Sequence, residues 1–144
     1  TTMIAGFPGE TQEDFDELCA FADEIGFERL GCFAYSQEEG TPAAELPDQL
    51  PKEEKERRRD VLMEQQSLAM QRWGESRVGM TVDVLVEGFD RYAECWFGRS
   101  AADAPDVDGK IFFPASGRKP RFGEFRKVKI TDCMDCDLIG EIVG

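Results

Sequence analysis

The first apolar run of the chain, around Ile4, is turned sharply by Gly6, Pro8 and Gly9. Thr11, followed three residues later by Asp14, then reads as a capping-box-like helix start. Phe15, Leu18, Cys19, Ala22 and Ile25 recur at helical spacing, and Gly26 supplies the stop. A second short strand is expected over 29–35 (RLGCFAY). Strand, helix and strand at this length form one βαβ unit, the building block of a parallel sheet or an α/β barrel. One strand and one helix cannot bury both of the strand's faces, so partner strands are expected upstream or in another chain. On that ground the chain is expected to be the C-terminal piece of a longer enzyme.

Residues 36–51 (SQEEGTPAAELPDQLP) read as a loop, with Pro51 suited to the first turn of a helix running from about Lys52 to about Glu75. Its apolar marks are sparse: Val61, Leu62, Leu68, Ala69, Met70 and Trp73. They predict one narrow docking stripe with the remainder solvated, Arg57 to Arg59 included. From Arg77 the period changes. Val82, Val84 and Val86 alternate along 81–87, and further short strands are expected at 92–98, 110–113, 126–131 and 138–143. Five short antiparallel strands predict a small closed barrel of the OB type. The fold class is thus α/β, with part of a parallel sheet or α/β barrel over residues 1–77, followed by an antiparallel OB-like β-barrel over 78–144.

Charge sharpens this division. The net charge is −13. Residues 1–77 hold 18 acidic against 8 basic side chains, a net of −10, and 78–144 hold 12 against 9, a net of −3. Such a balance disfavours non-specific nucleic-acid binding, whose affinity comes mainly from neutralised phosphates. No stretch approaches the ~20 apolar residues that span a bilayer, so no membrane contact and a cytoplasmic location are expected. The absence of histidine excludes His-based triads, His general bases and His-ligated zinc from this chain. The five cysteines, odd in number and irregularly spaced, read as free thiols.

Four segments invite chemistry. The loop 6–11 (GFPGET) is an ordinary strand-to-helix turn, yet the carboxyl end of a parallel strand is also where α/β folds bind ligands, and Gly6 would let a flat ring approach the backbone. Residues 133–136 (CMDC) lack the second ligand pair that a structural zinc needs, and read as a hairpin turn. Residues 118–129 (RKPRFGEFRKVK) interleave six basic side chains with Phe122 and Phe125, a pattern that suits single-stranded nucleic acid or else a basic hairpin with both rings in the core. Residues 98–109 (GRSAADAPDVDG) read as an exposed loop, of the kind that recognises a partner.

Taken together, TTMIAGFPGET, LGCFAYSQEEGTPAAELPDQLP, GRSAADAPDVDG and the closing VKITD…DLIGEIVG resemble the radical S-adenosylmethionine methylthiotransferases, and within them the RimO-like ribosomal-protein group. The resemblance covers essentially the whole chain. It implies that 1–77 is the C-terminal part of a radical S-adenosylmethionine barrel and 78–144 a TRAM domain. For the parent it implies S-adenosylmethionine and two 4Fe-4S clusters as cofactors, and transfer of a methylthio group to an aspartate of small-subunit ribosomal protein S-twelve. The cluster-binding cysteine sets are absent here, so the resemblance implies that this piece alone binds no cluster and is inactive. It assigns Ile4, Gly6, Phe33, Ala34 and Tyr35 to cofactor contact by apolar packing and backbone approach. Asp103, Asp106 and Asp108 become natural anchors for a basic protein substrate, since opposite charge steers encounter. Arg118, Lys119 and Arg121 are the substrate contacts of the rival reading, in which TRAM binds RNA through 118–129 and the parent modifies an adenosine in tRNA. A third reading makes 78–144 a cap on the barrel, with Trp73 and Trp96 marking a seam.

Overall fold

A computed structural model describes residues 1–143, which divide into two compact units, one from Thr1 to Ala69 and one from Met70 onward. In the first unit, β1 (Thr2–Ala5) leads through the glycine-rich loop into α1 (Gln12–Ile25), and β2 (Gly31–Ala34) returns parallel to β1 with Ile4 opposite Phe33. A 3-10 turn (Pro42–Glu45) precedes α2 (Lys52–Arg77).

The local signals for α1 act as their chemistry dictates. The Asp14 amide donates to Thr11 Oγ1 at 3.1 Å, and the Thr11 amide donates to Asp14 Oδ2 at 2.8 Å, which satisfies two otherwise orphaned donors of the first turn. Gly26 closes the helix in the left-handed conformation, its N–H bonded to Ala22 O at 3.1 Å. Phe15 and Ala22 are buried and Leu18 and Cys19 pack beside them, whereas Ile25 stands exposed at the helix end. Leu62 of α2 completes this core together with Ala5, Leu30 and Cys32.

α2 departs from the expected apolar stripe. Its buried positions in the first unit are Lys55, Arg58, Leu62 and Gln66, spaced for one helix face but mostly polar. Arg58 is therefore not solvated as expected: it is only 5 % exposed, while Val61 and Leu68, expected to dock, are exposed. The polar groups reach partners that no helical pattern reveals, such as Gln66 Nε2 donating to Phe27 O at 2.9 Å.

In the second unit, β3 (Thr81–Asp90), β4 (Cys95–Arg99), β5 (Ile111–Phe113), β6 (Phe125–Met134) and β7 (Asp137–Ile142) close into a barrel in the order β3-β4-β5-β7-β6. This is an OB-like arrangement. It is mixed rather than wholly antiparallel, because β6 crosses back to pair with β3 and leaves β5 to meet β7 in parallel. Val84, Val86, Ile111, Phe113, Val128, Ile130 and Leu138 fill the interior, with Val82, Trp73 and Trp96 packed against them. Gly98 lets β4 approach β3: a Cβ there would stand 2.1 Å from Leu85 O. The hairpin expected at 133–136 is present, turning at Asp135 with Met134 opposite Asp137.

Replacing Phe113, 1 % exposed, with Ala removes the largest side chain of the barrel interior. It should cost about 3–5 kcal/mol. Urea unfolding followed by the fluorescence of Trp73 and Trp96 measures this barrel, and a shift well below that range would show that the core packs otherwise.

Candidate functional site

The loop between β1 and α1 is held from behind by a charged network. Gly6 N–H donates to both carboxylate oxygens of Glu10, at 3.1 and 3.0 Å, and Arg58 Nη1 donates to Glu10 Oε1 at 2.6 Å. The same Arg58 nitrogen reaches Glu10 O at 3.0 Å and Thr11 O at 3.1 Å, while Arg58 Nε pairs with Glu54 at 2.8 Å. One guanidinium thus ties the loop, the start of α1 and the first turns of α2 together. Arg57 adds two bonds to Glu54, and these, with that from Arg58, pull the Glu54 carboxyl from 4.5 down to about 2.

Above this network the carboxyl ends of β1 and β2 present the residues assigned to cofactor contact. Ile4 and Phe33 face each other across the strand pair, and their side chains are exposed, 54 % and 65 % respectively. Ala5 and Cys32, their neighbours in sequence, point to the core. The exposed pair forms an apolar face of the kind that packs on a flat ring. Ala34 and Tyr35 are half-buried, and the Tyr35 ring meets Phe7 edge-on at 5.3 Å. Phe33, Ala34 and Tyr35 line one side of a cavity of about 430 Å³, with Lys52, Lys55 and Arg59 of α2 on the other. Gly6 is buried with φ +76°, and on the side where a Cβ would stand its neighbour is the Lys55 stem, 2.6 Å from that position. A larger residue there would displace Lys55. Glu10, Lys55 and Arg58 were not singled out from the sequence; the signal available was the spacing of Lys52, Lys55, Glu56 and Arg59 along one helix face.

In the second unit the loop 100–110 uses two of its aspartates on itself. Asp103 accepts from Ser100 N at 3.0 Å and Ser100 Oγ at 2.7 Å, and Asp108 accepts from Ala104 N at 2.7 Å. Asp106 stands exposed at φ +60°. Asp106 and Asp108 share a hollow of about 480 Å³ with Arg99, Lys110 and Phe122. Arg118, Lys119 and Arg121 are exposed and do not line it.

The basic run is organised by its single acid. Glu124 takes bonds from Arg118 Nη2 and Arg126 Nε at 2.7 Å each and from the Arg121 amide at 3.0 Å. These contacts, Arg126 foremost, hold its carboxyl below the ordinary value. Phe122 and Phe125 are 79 % and 68 % exposed. The core placement allowed by the sequence is thus not adopted, and both rings face outward.

The cysteines do not gather. Burial pushes the thiols of Cys19, Cys32, Cys95 and Cys133 up. Among the described residues no three His, Cys, Asp or Glu side chains stand close enough to share a metal ion. The residues present therefore do not fit an iron–sulfur cluster. Nor is any described helix long and apolar enough to cross a membrane.

Residues 78–143 match the family model of the TRAM domain. Along its whole length the chain is similar to curated proteins named ribosomal protein uS12 methylthiotransferase RimO. The relative from Desulfitobacterium hafniense is 49 % identical over 147 residues, covering 99 % of this chain and 32 % of the relative. That from Pelotomaculum thermopropionicum is 48 % identical over 145 residues, with 99 % and 32 % covered, and that from Acetivibrio thermocellus 45 % over 144, with 100 % and 32 %. The chain thus spans about a third of the length of the curated relatives it matches.

Breaking the network tests what holds the site. Arg58→Met leaves the Glu10 carboxylate without its cation and should destabilise the first unit by about 3–5 kcal/mol. Arg59→Met, at an exposed pair, should stay within about 0.5 kcal/mol. Helical circular dichroism during urea unfolding compares the two, and equal effects would remove the network from this role. The sign with pH follows from Glu54. Its depressed carboxyl contributes stability fully above 4.5 and loses it as the pH falls through about 2. The stability gap between the wild type and Glu54→Gln should therefore close over that interval; a gap unchanged by acid would contradict it.

Proposed function

Because the chain is similar throughout to ribosomal-protein methylthiotransferases of the RimO type, we propose that it is the C-terminal portion of such an enzyme. The parent then adds a methylthio group to an aspartate of small-subunit ribosomal protein S-twelve. Residues 1–77 contribute the last strands of a radical S-adenosylmethionine barrel, and 78–144 serve as the TRAM domain that docks the protein substrate. The observation that carries this reading is similarity at 45–49 % identity over both units at once, rather than over the TRAM domain alone.

S-adenosylmethionine, when bound, supplies the methyl group and the radical. The part of this chain is placement. Ile4 and Phe33 offer the apolar face, and Ala34 and Tyr35 continue that wall into the cavity, so these residues fit the nucleoside end of the cofactor. Gly6 serves by admitting Lys55 beside the loop. The two 4Fe-4S clusters belong to parts of the parent other than these residues, and this chain alone is catalytically inactive. In the TRAM domain, Asp103 and Asp108 shape their loop while Asp106 presents its carboxylate to a basic partner.

The alternative, a tRNA adenosine methylthiotransferase, draws its support from the outward Phe122 and Phe125 beside Arg118, Lys119 and Arg121, since exposed rings with cations suit unpaired bases. Against it, Glu124 occupies Arg118, and the domain is net acidic.

Binding of the chain to purified S-twelve and to a tRNA anticodon stem-loop, each at low and moderate salt, separates the two. The expected result is salt-sensitive binding to the protein that Asp106→Asn weakens about threefold. Selective binding of the stem-loop, weakened by Arg121→Ala, would transfer the parent to the tRNA branch.

A further inference from the structure

A groove in the second unit has no part in the sites described above. Phe112, Pro114, Met134 and Ile139 line a hollow of about 390 Å³ together with two charged residues, Asp90 and Asp137. It lies against β5, beside the β3–β4 turn and the β6–β7 hairpin, where OB barrels take extended ligands such as oligonucleotides. The lining here has the opposite chemistry. It contains no lysine or arginine, so a phosphate would find nothing there to neutralise it.

Each carboxylate is held in place through one oxygen. Asp90 Oδ1 accepts from the amides of Tyr92 and Ala93 at 2.8 and 3.0 Å, and Asp137 Oδ1 accepts from that of Lys110 at 2.7 Å. Among the described residues no hydrogen bond or ion pair takes the second oxygen of either. Lys110 carries its ammonium over the Phe97 ring, 4.4 Å from the centroid, and pairs with neither carboxylate. The hairpin adds the exposed Asp132 and Asp135 and no cation, while Arg91 and Glu94 offset each other in the β3–β4 turn.

We propose that this groove docks a lysine or arginine side chain of a basic protein partner. Such a side chain brings an apolar stem to Phe112, Met134 and Ile139 and a cationic head to the second oxygens of Asp90 and Asp137. A wholly apolar occupant would strip water from both carboxylates without replacing it, and a nucleic-acid strand would set phosphates against them. The inference deepens the reading of the TRAM domain as the substrate dock and rests on it for the identity of the partner. It adds a contact separate from Asp106, which lines a different hollow.

The test uses the chain in two arms. In the first, the NMR signals of the Met134 and Ile139 methyl groups are followed as N-acetylarginine methylamide, N-acetylcitrulline methylamide or oligouridylate is added. Citrulline keeps the stem and lacks the charge. Both signals should move with the arginine derivative and stay with the other two probes, a readout that needs no variant to fold. In the second arm, binding of purified S-twelve is measured by calorimetry. Asp90→Asn and Asp137→Asn keep the acceptor that holds each turn and lose the charge, and each should weaken binding about threefold. Met134→Lys, at a residue 62 % exposed, sets a cation in the groove and should weaken binding about tenfold. Asp83→Asn, outside the groove at an exposed pair with Lys127, should change it less than about twofold. S-twelve binding that none of the three groove variants alters would overturn the groove and leave the docking role of the TRAM domain standing. Methyl shifts specific for arginine, without any binding of S-twelve, would support the groove and remove S-twelve as its partner. Equal shifts with citrulline, shifts with oligouridylate, or none with any probe would overturn the groove.

Discussion

The buried guanidinium of Arg58 is the contact on which the first unit depends. It sits where a hydrophobic side chain would ordinarily be, and its position is tolerable only because Glu10, Glu54 and two carbonyl oxygens surround it. Removing any one partner leaves charge in a poorly hydrated place. The pairing is therefore a strong constraint on geometry even where its net stabilisation is modest. It fixes the Gly6–Glu10 loop at the end of β1 and orients the first turns of α2, so Lys55 and the cavity wall inherit their placement from it.

The barrel rests on a different principle. Its interior is wholly apolar and closes by strand pairing, and the close approach of β3 and β4 requires Gly98. Charge is kept out of that interior, and much of it does local work: Asp103 and Asp108 cap turns of 100–110, and Glu124 gathers Arg118 and Arg126. What remains unspent after these internal contacts is what a partner meets, notably the exposed Asp106 and the exposed rings of Phe122 and Phe125.

Signals carried by consecutive residues were readable in the sequence. The Thr11–Asp14 box, the Gly26 stop, the alternation Val82–Val84–Val86 and the turn at 133–136 each encode their own geometry within a few positions. Signals settled by distant partners were not. Nothing in the spacing of Lys55, Arg58 and Gln66 says that this face of α2 is the inner one, because its burial is decided by Glu10 and by the Phe27 carbonyl. Alternation likewise cannot tell that β5 meets β7 in parallel, since it marks faces and not neighbours. In the candidate site, the apolar members Ile4 and Phe33 were legible as strand ends, whereas of the charged members behind them Glu10 belongs to a loop and Lys55 and Arg58 to a helix whose sequence reads as mostly solvated.

The function proposed for this chain is that of one part of an enzyme that modifies a ribosomal protein. Its most direct test is the mass of ribosomal protein S-twelve isolated from cells with and without the gene that encodes this chain. Loss of a methylthio group from one aspartate in the deleted strain is the predicted result. An S-twelve of unchanged mass, with the methylthio group missing instead from tRNA adenosine, would contradict the account.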